Sequence, residues 1–136
     1  MICELVHDPV FLAGKSEKAD QSDLQTAQDL LDTLLAHQSE CVGMAANMIG
    51  VRKRIIVFDH EGAYLTMLNP VILKKSGLYE TEEGCLSLSG TRKTTRYQTI
   101  EVSYLDQSFN PRRQVYTGWI AQVIQHEIDH CDGIII

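Results

Sequence analysis

From Asp23 to His37 the apolar residues Leu24, Ala27, Leu30, Leu31, Leu34 and Leu35 recur at the three-and-four spacing of one helical stripe, with Ser22 or Asp23 placed to cap the start. The spacing predicts an amphipathic helix. A short β-branched run, Arg54 to Asp59, is followed by the turn-prone pair Glu61-Gly62 and a second apolar stretch, Ala63 to Leu73, interrupted by Asn69-Pro70. These read as two antiparallel strands. Gly77 to Glu83, Tyr97 to Leu105 and Gln114 to Trp119 are further strand candidates, the middle one alternating Thr99, Glu101 and Ser103 with Ile100, Val102 and Tyr104. Gly118 to Cys131 reads as a second helix, with Ile120, Val123 and Ile124 on its buried side and Gly133 placed to end it. Cys41 to Gly50, small residues between glycines, reads as a loop or turn, and residues 1–22 as an irregular lead-in wrapped on a surface. No repeat or linker interrupts the pattern. The expected fold class is therefore α+β, antiparallel strands packed around the C-terminal helix, in a single domain spanning residues 1–136.

Composition narrows the function classes. The 136 residues are 44% hydrophobic and 22% charged, values of an ordinary globular domain, and the net charge of −6 argues against a broad phosphate-binding face, so no nucleic-acid partner is expected. Four cysteines, at 3, 41, 85 and 131, form no CxxC pair and read as reduced thiols. The first residues lack the basic and apolar regions of a secretion signal, and no apolar run approaches the ~20 residues of a membrane span. A cytoplasmic protein without a membrane partner is expected.

The second helix contains His126-Glu127-Ile128-Asp129-His130, the spacing H-E-x-x-H. Residues four apart share a helix face, so both imidazoles can reach one metal ion while Glu127 stands beside a water on that ion, ready to take its proton. A catalytic site needs a third protein ligand and an open position. Only Cys131 to Ile136 follow His130, and a ligand one or two residues along the helix would point to another face, so the third ligand must come from upstream. His7, His37, His60, several carboxylates and the cysteines are candidates. Cys85, in Glu82-Glu83-Gly84-Cys85-Leu86-Ser87, has the most suggestive surroundings, because Gly84 permits a tight turn and a thiolate is a strong, borderline-soft ligand.

Three segments, Gly43-Met44-Ala45-Ala46-Asn47-Met48-Ile49-Gly50, Glu83-Gly84-Cys85-Leu86-Ser87 and Gln125-His126-Glu127-Ile128-Asp129-His130, resemble the signature segments of the peptide deformylases in order and approximate spacing. The lead-in Val6 to Leu12 is similar to that family's N-terminal arm, so the resemblance spans nearly the whole chain. It implies that Cys85, His126 and His130 hold one divalent metal, most often Fe2+, with Zn2+, Ni2+ or cobalt able to replace it. It further implies that Glu127 is the general base and acid, and that the backbone N–H of Leu86 is an oxyanion donor. The implied reaction is removal of the N-formyl group from the N-terminal methionine of newly made polypeptides. The implied partner is an N-formylmethionyl peptide or nascent chain, added as a strand along the edge near Val42 and Gly43.

The pattern is broken at Met48, where the family has a glutamine whose amide is the second oxyanion donor. A thioether donates nothing, so weak or altered deformylase activity is expected unless Asn47 takes over. Two alternatives stay open: a weakly active or non-catalytic metal-binding homologue that binds N-terminal peptides, and a metal amidase with another substrate. Ser89 stands where the family often has proline, which is expected to alter loop stiffness rather than chemistry. The chain ends soon after the H-E-x-x-H helix, so ribosome contacts through a C-terminal tail are not expected.

Several other residues carry two readings each. Trp119 and Val123, one turn apart and leading into His126, either line a pocket for a methionine side chain or pack in the core. Arg96, with Arg92 and Lys93, either meets the peptide's carboxylate or backbone or is solvated surface. Asp129 either orients a ligand imidazole or lies on the solvated face, and Gln125 either steadies a neighbouring segment or is exposed.

Overall fold

A computed structural model describes residues 1–85 and 87–134. Among the described residues, five strands form one antiparallel meander in chain order: β1 (Gly43–Ala45), β2 (Ile55–His60), β3 (Ala63–Cys85), β4 (Leu88–Leu105) and β5 (Pro111–Thr117). Three α-helices accompany it among those residues, the short α1 (Pro9–Leu12), α2 (Leu24–Ala36) and α3 (Gly118–Cys131). The antiparallel sheet with a C-terminal helix is the α+β class expected from the pattern.

The core is explained by the run Ile55-Ile56-Val57-Phe58, which lacks a polar alternate because both faces of β2 are covered. Ile55 and Val57 pack with Leu30 and Leu34 of α2, while Ile56 and Phe58 pack with Ile124 and Ile128 of α3. The side chains of these four β2 residues are fully buried. A β-strand with period two thus becomes the middle layer between two helices.

The ends of these elements are tied by specific bonds. Asp20, rather than Ser22 or Asp23, caps the 3-10 turn Gln21–Asp23 that leads into α2; its carboxylate accepts from Ser22 N while Asp23 accepts from Asp20 N. The C-terminal carbonyls of α3 are buried and need partners. Ser16 N donates to Cys131 O at 2.8 Å, and Asn47 Nδ2 donates to His130 O at 2.9 Å. The lead-in is therefore fastened to the end of α3 by a backbone bond from Ser16, and to the segment before β2 by bonds from Val6 to Met48 O and from Glu17 to Arg52 O.

Three expectations need correction. Cys41 to Gly50 is not simply a loop: Gly43–Ala45 pairs with Ile56–Phe58 as β1, and Ala46–Ile49 forms a 3-10 turn ending at Gly50. All three β1 residues are buried, so no alternation marks the strand. Asn69-Pro70 does not interrupt its strand. The register shifts there, Asn69 takes φ 53°, which asparagine tolerates, and its amide exchanges bonds with Ala19 of the lead-in. Gly77 to Glu83 is the continuation of the preceding strand, so one long hairpin replaces two elements. That hairpin carries Cys85, paired with Leu88, to the sheet's end beside α3.

Candidate metal centre

α3 places His126 and His130 one turn apart with their Nε2 atoms 3.0 Å from each other. Cys85 enters from the end of β3, and the ligand atoms of Cys85, His126 and His130 all lie within 4.8 Å of one another. Three distant parts of the chain therefore converge. The set of one thiol and two imidazoles suits a borderline-soft divalent cation, with room for a further ligand on the side of the adjoining pocket.

Without a metal, the two imidazoles are driven apart in basicity. Burial opposes a charge on His126, but its bonds to Cys85 and Glu83 outweigh burial and push its pKa up to about 10. Burial and the neighbouring His126 push His130 down to about 3.

Glu83 anchors the arrangement. Its Oε1 accepts from His126 Nδ1 at 2.7 Å, which turns Nε2, the atom free to bind a metal once it has given up its proton, toward His130. Arg96 grips the same carboxylate through Nε and a terminal nitrogen, at 2.9 and 2.6 Å, and bonds Asp129 Oδ2 at 2.6 Å. Burial alone would raise the pKa of Glu83, but the bonds from His126 and Arg96 prevail and hold it at about 2. Arg96→Met leaves two acidic groups without their shared cation in a site where Arg96 is 3% exposed. It is expected to destabilise the protein by about 3–5 kcal/mol, read from chemical unfolding; a loss below ~1 kcal/mol would contradict this reading of the network.

Glu127 lies on the pocket side of the centre. Its Oε1 is buried without a hydrogen-bond partner, and burial pushes its pKa up to about 7. An orphaned carboxylate beside three convergent ligands is suited to exchange a proton with water or substrate. Gly43 makes room for it: a Cβ there would lie 2.9 Å from Val123 Cγ1 and 3.1 Å from Glu127 Oε2. Gly43→Ala is expected to cost about 1–3 kcal/mol and to lower kcat by displacing Glu127, measured by thermal melting and steady-state assay.

A pocket of about 550 Å³ opens over Glu127, lined by Val42, Gly43, Met48, Trp119, Val123 and other residues. Trp119 is 63% exposed, so it is not core; Val123 both packs in the core and lines the pocket. Arg96 is placed elsewhere. Its guanidinium is buried and committed to Glu83 and Asp129, so neither reading from the sequence, contact with substrate or solvated surface, describes it. The expected donor at Leu86 lies outside the described residues.

Met48 is buried in the pocket floor, its sulfur 3.5 Å from Ala45 N. Asn47 cannot replace it, because its amide nitrogen is spent on the end of α3. Asp129 acts on Arg96 rather than on an imidazole. Gln125 is buried and bonds both the N–H and the carbonyl of Tyr97, on the β4 edge beyond its pairing with β5. Of the other candidate ligands, His7 Nδ1 bonds Ser87 O at 2.8 Å, His37 pairs with Glu40, and His60 packs edge-on against Tyr116. Sequence reasoning missed Glu83 as the partner of His126. The available signal was its position two residues before Cys85, which puts both on one face of a strand.

Comparison with known proteins gives a consistent result. The family model for polypeptide deformylase matches residues 3–136. The chain is 58% identical over 136 residues to a peptide deformylase of Clostridium beijerinckii, covering all of both chains. It is 40% identical over 124 residues to one of Pelotomaculum thermopropionicum, covering 90% of this chain and 79% of the relative. A class I type b peptide deformylase of Acinetobacter baumannii with Met-Ala-Ser bound superposes with a TM-score of 0.88 at 26% identity, covering 99% of this chain and 97% of that one. A peptide deformylase of Thermus thermophilus gives 0.85 at 34% identity, with coverages of 99% and 83%.

Proposed function

Because the chain belongs to the polypeptide deformylase family, we propose that it hydrolyses the N-formyl group from the N-terminal methionine of newly made polypeptides, using Cys85, His126 and His130 as metal ligands and Glu127 as general base and acid. The observation that carries the assignment of roles is the convergence of those three ligand atoms beside an unpartnered, buried carboxylate. When bound, a divalent cation supplies Lewis acidity, lowering the pKa of water and polarising the formyl carbonyl. Glu127 takes the proton from the attacking water and returns it to the amine nitrogen as the formyl C–N bond breaks. Formate and a free methionyl terminus result.

The substrate's main chain runs along Val42 and Gly43, where backbone bonds recognise any sequence. Its methionine side chain enters between Trp119 and Val123, which line the same pocket. The Acinetobacter relative, with Met-Ala-Ser bound, supports a peptide of this kind as ligand. Leu86 N–H is the proposed oxyanion donor and Fe2+ the proposed resident metal, since a thiolate and two imidazoles suit iron as well as zinc or nickel. Among the described residues no helix is long and apolar enough to cross a membrane, and the proposed compartment is the cytoplasm, where nascent chains emerge.

Met48 supports a second reading, a weakly active homologue that binds N-terminal peptides. Ala45 N–H points at its sulfur. In Met48→Gln that N–H would hold the amide oxygen and turn the NH₂ toward the pocket, restoring a donor to the developing oxyanion. The variant, assayed anaerobically on a formyl-methionyl peptide beside acetylated and other formylated amides, is expected to gain about 10²-fold in kcat. An unchanged rate would show that Met48 does not limit turnover.

A further inference from the structure

The pocket wall reaches the metal ligands by a second route. Tyr79, Thr81 and Glu83 alternate onto one face of β3, and Tyr79 stands directly opposite Arg96 of β4. From that face Tyr79 Oη donates to Gln122 Oε1 at 3.1 Å, and Gln122 Nε2 donates to Glu83 Oε2 at 2.9 Å. Glu83 Oε1 in turn receives His126 Nδ1. An unbroken series of hydrogen bonds therefore joins a strand hydroxyl, a pocket-lining amide, a carboxylate and a ligand imidazole. Nothing in the mechanism above uses its first two members.

The directions of these bonds are forced. Ionised Glu83 only accepts, so Gln122 must present its NH₂ to it. The amide oxygen then faces Tyr79, and the hydroxyl must donate. The Glu83 carboxylate has about four acceptor sites. Arg96 takes one on each oxygen, His126 the second on Oε1 and Gln122 the second on Oε2. Arg96 alone would hold one edge of the carboxylate. Gln122, arriving from α3, closes the other oxygen and stops the group turning away from His126.

We propose that Gln122, with its amide oriented by Tyr79, is a positioning residue that keeps Glu83 aligned on His126 Nδ1 and thereby slows metal loss from the site. The proposal rests on the metal-ligand reading given above. A bland alternative is that the same contacts merely fasten the β3–β4 hairpin to α3. The two differ in what they predict: a fastening contact lowers stability, whereas a positioning contact changes metal retention without the fold loosening.

The test uses zinc as the probe and the full chain as the sample. Zinc dissociation into excess chelator is timed for wild type, Gln122→Leu, Tyr79→Phe and the double variant, and each metal-free protein is melted. Removing an outer partner of a metal ligand typically costs 10–100-fold in metal affinity. Zinc is expected to leave Gln122→Leu about 10-fold faster than wild type and Tyr79→Phe by a smaller factor. Tyr79→Phe is expected to add nothing in the Gln122→Leu background, since it acts through the amide. Metal-free melting temperatures are expected to agree within about 2 °C. The His126 Nδ1 proton, followed by NMR in the zinc form, is expected to exchange with water faster in Gln122→Leu. Unchanged dissociation and exchange, with a lowered melting temperature, would overturn the positioning role and leave the ligand assignment intact. Zinc retention left unchanged by Cys85→Ala or His126→Ala would overturn both.

Discussion

Glu127→Gln is expected to lower kcat on a formyl-methionyl peptide by about 10²–10⁴-fold while leaving the metal content at the wild-type level. The amide has the shape of the carboxylate but cannot take a proton from water, and the three ligand atoms belong to other side chains. The same substitution separates chemistry from stability. Burial raises the Glu127 pKa from 4.5 to about 7, so in the metal-free protein the folded state holds a proton that the unfolded chain releases. Stability from this group is greatest below about 4.5 and is lost as the pH rises toward 7. Metal-free Glu127→Gln is expected to lack that decline, measured as urea midpoints across the interval. A variant with near-normal turnover would remove Glu127 from its role.

Cys85→Ala carries the other large effect. Two imidazoles would remain, but a cation held by the proposed set would lose a donor and the negative charge of the thiolate. Because Lewis-acid catalysis supplies several kcal/mol, activity is expected to fall by about 10³-fold or more, with metal content well below one per chain. The fold is expected to survive, since Cys85 is only half-buried and has its backbone held by the β3–β4 pairing. Metal analysis of anaerobically prepared protein reads the result. Full metal occupancy in Cys85→Ala would move the third ligand elsewhere.

How far the sequence could be read depended on whether a feature was local. The boundaries of α3 followed from its apolar spacing and Gly133, and the two histidines from the helical period. β1 was illegible because three residues buried on every side show no period. The long hairpin was read as separate strands because Asn69-Pro70 has turn chemistry, and only the bonds of Asn69 to Ala19 show that it serves a bulge. Arg96 was misread for a related reason. Beside Arg92 and Lys93 it resembles surface charge, and its burial depends on Glu83 and Asp129, 13 and 33 residues away. Cys85 was found through its neighbours in sequence, whereas the Tyr79–Gln122–Glu83 series depends on strand register and helix docking together.

X-ray absorption spectroscopy of anaerobically purified, metal-replete wild-type protein tests the central claim most directly. One sulfur and two imidazole nitrogens in the inner coordination sphere, with the sulfur signal absent from Cys85→Ala, is the predicted result. An inner sphere of nitrogen and oxygen alone in the wild-type protein would contradict it.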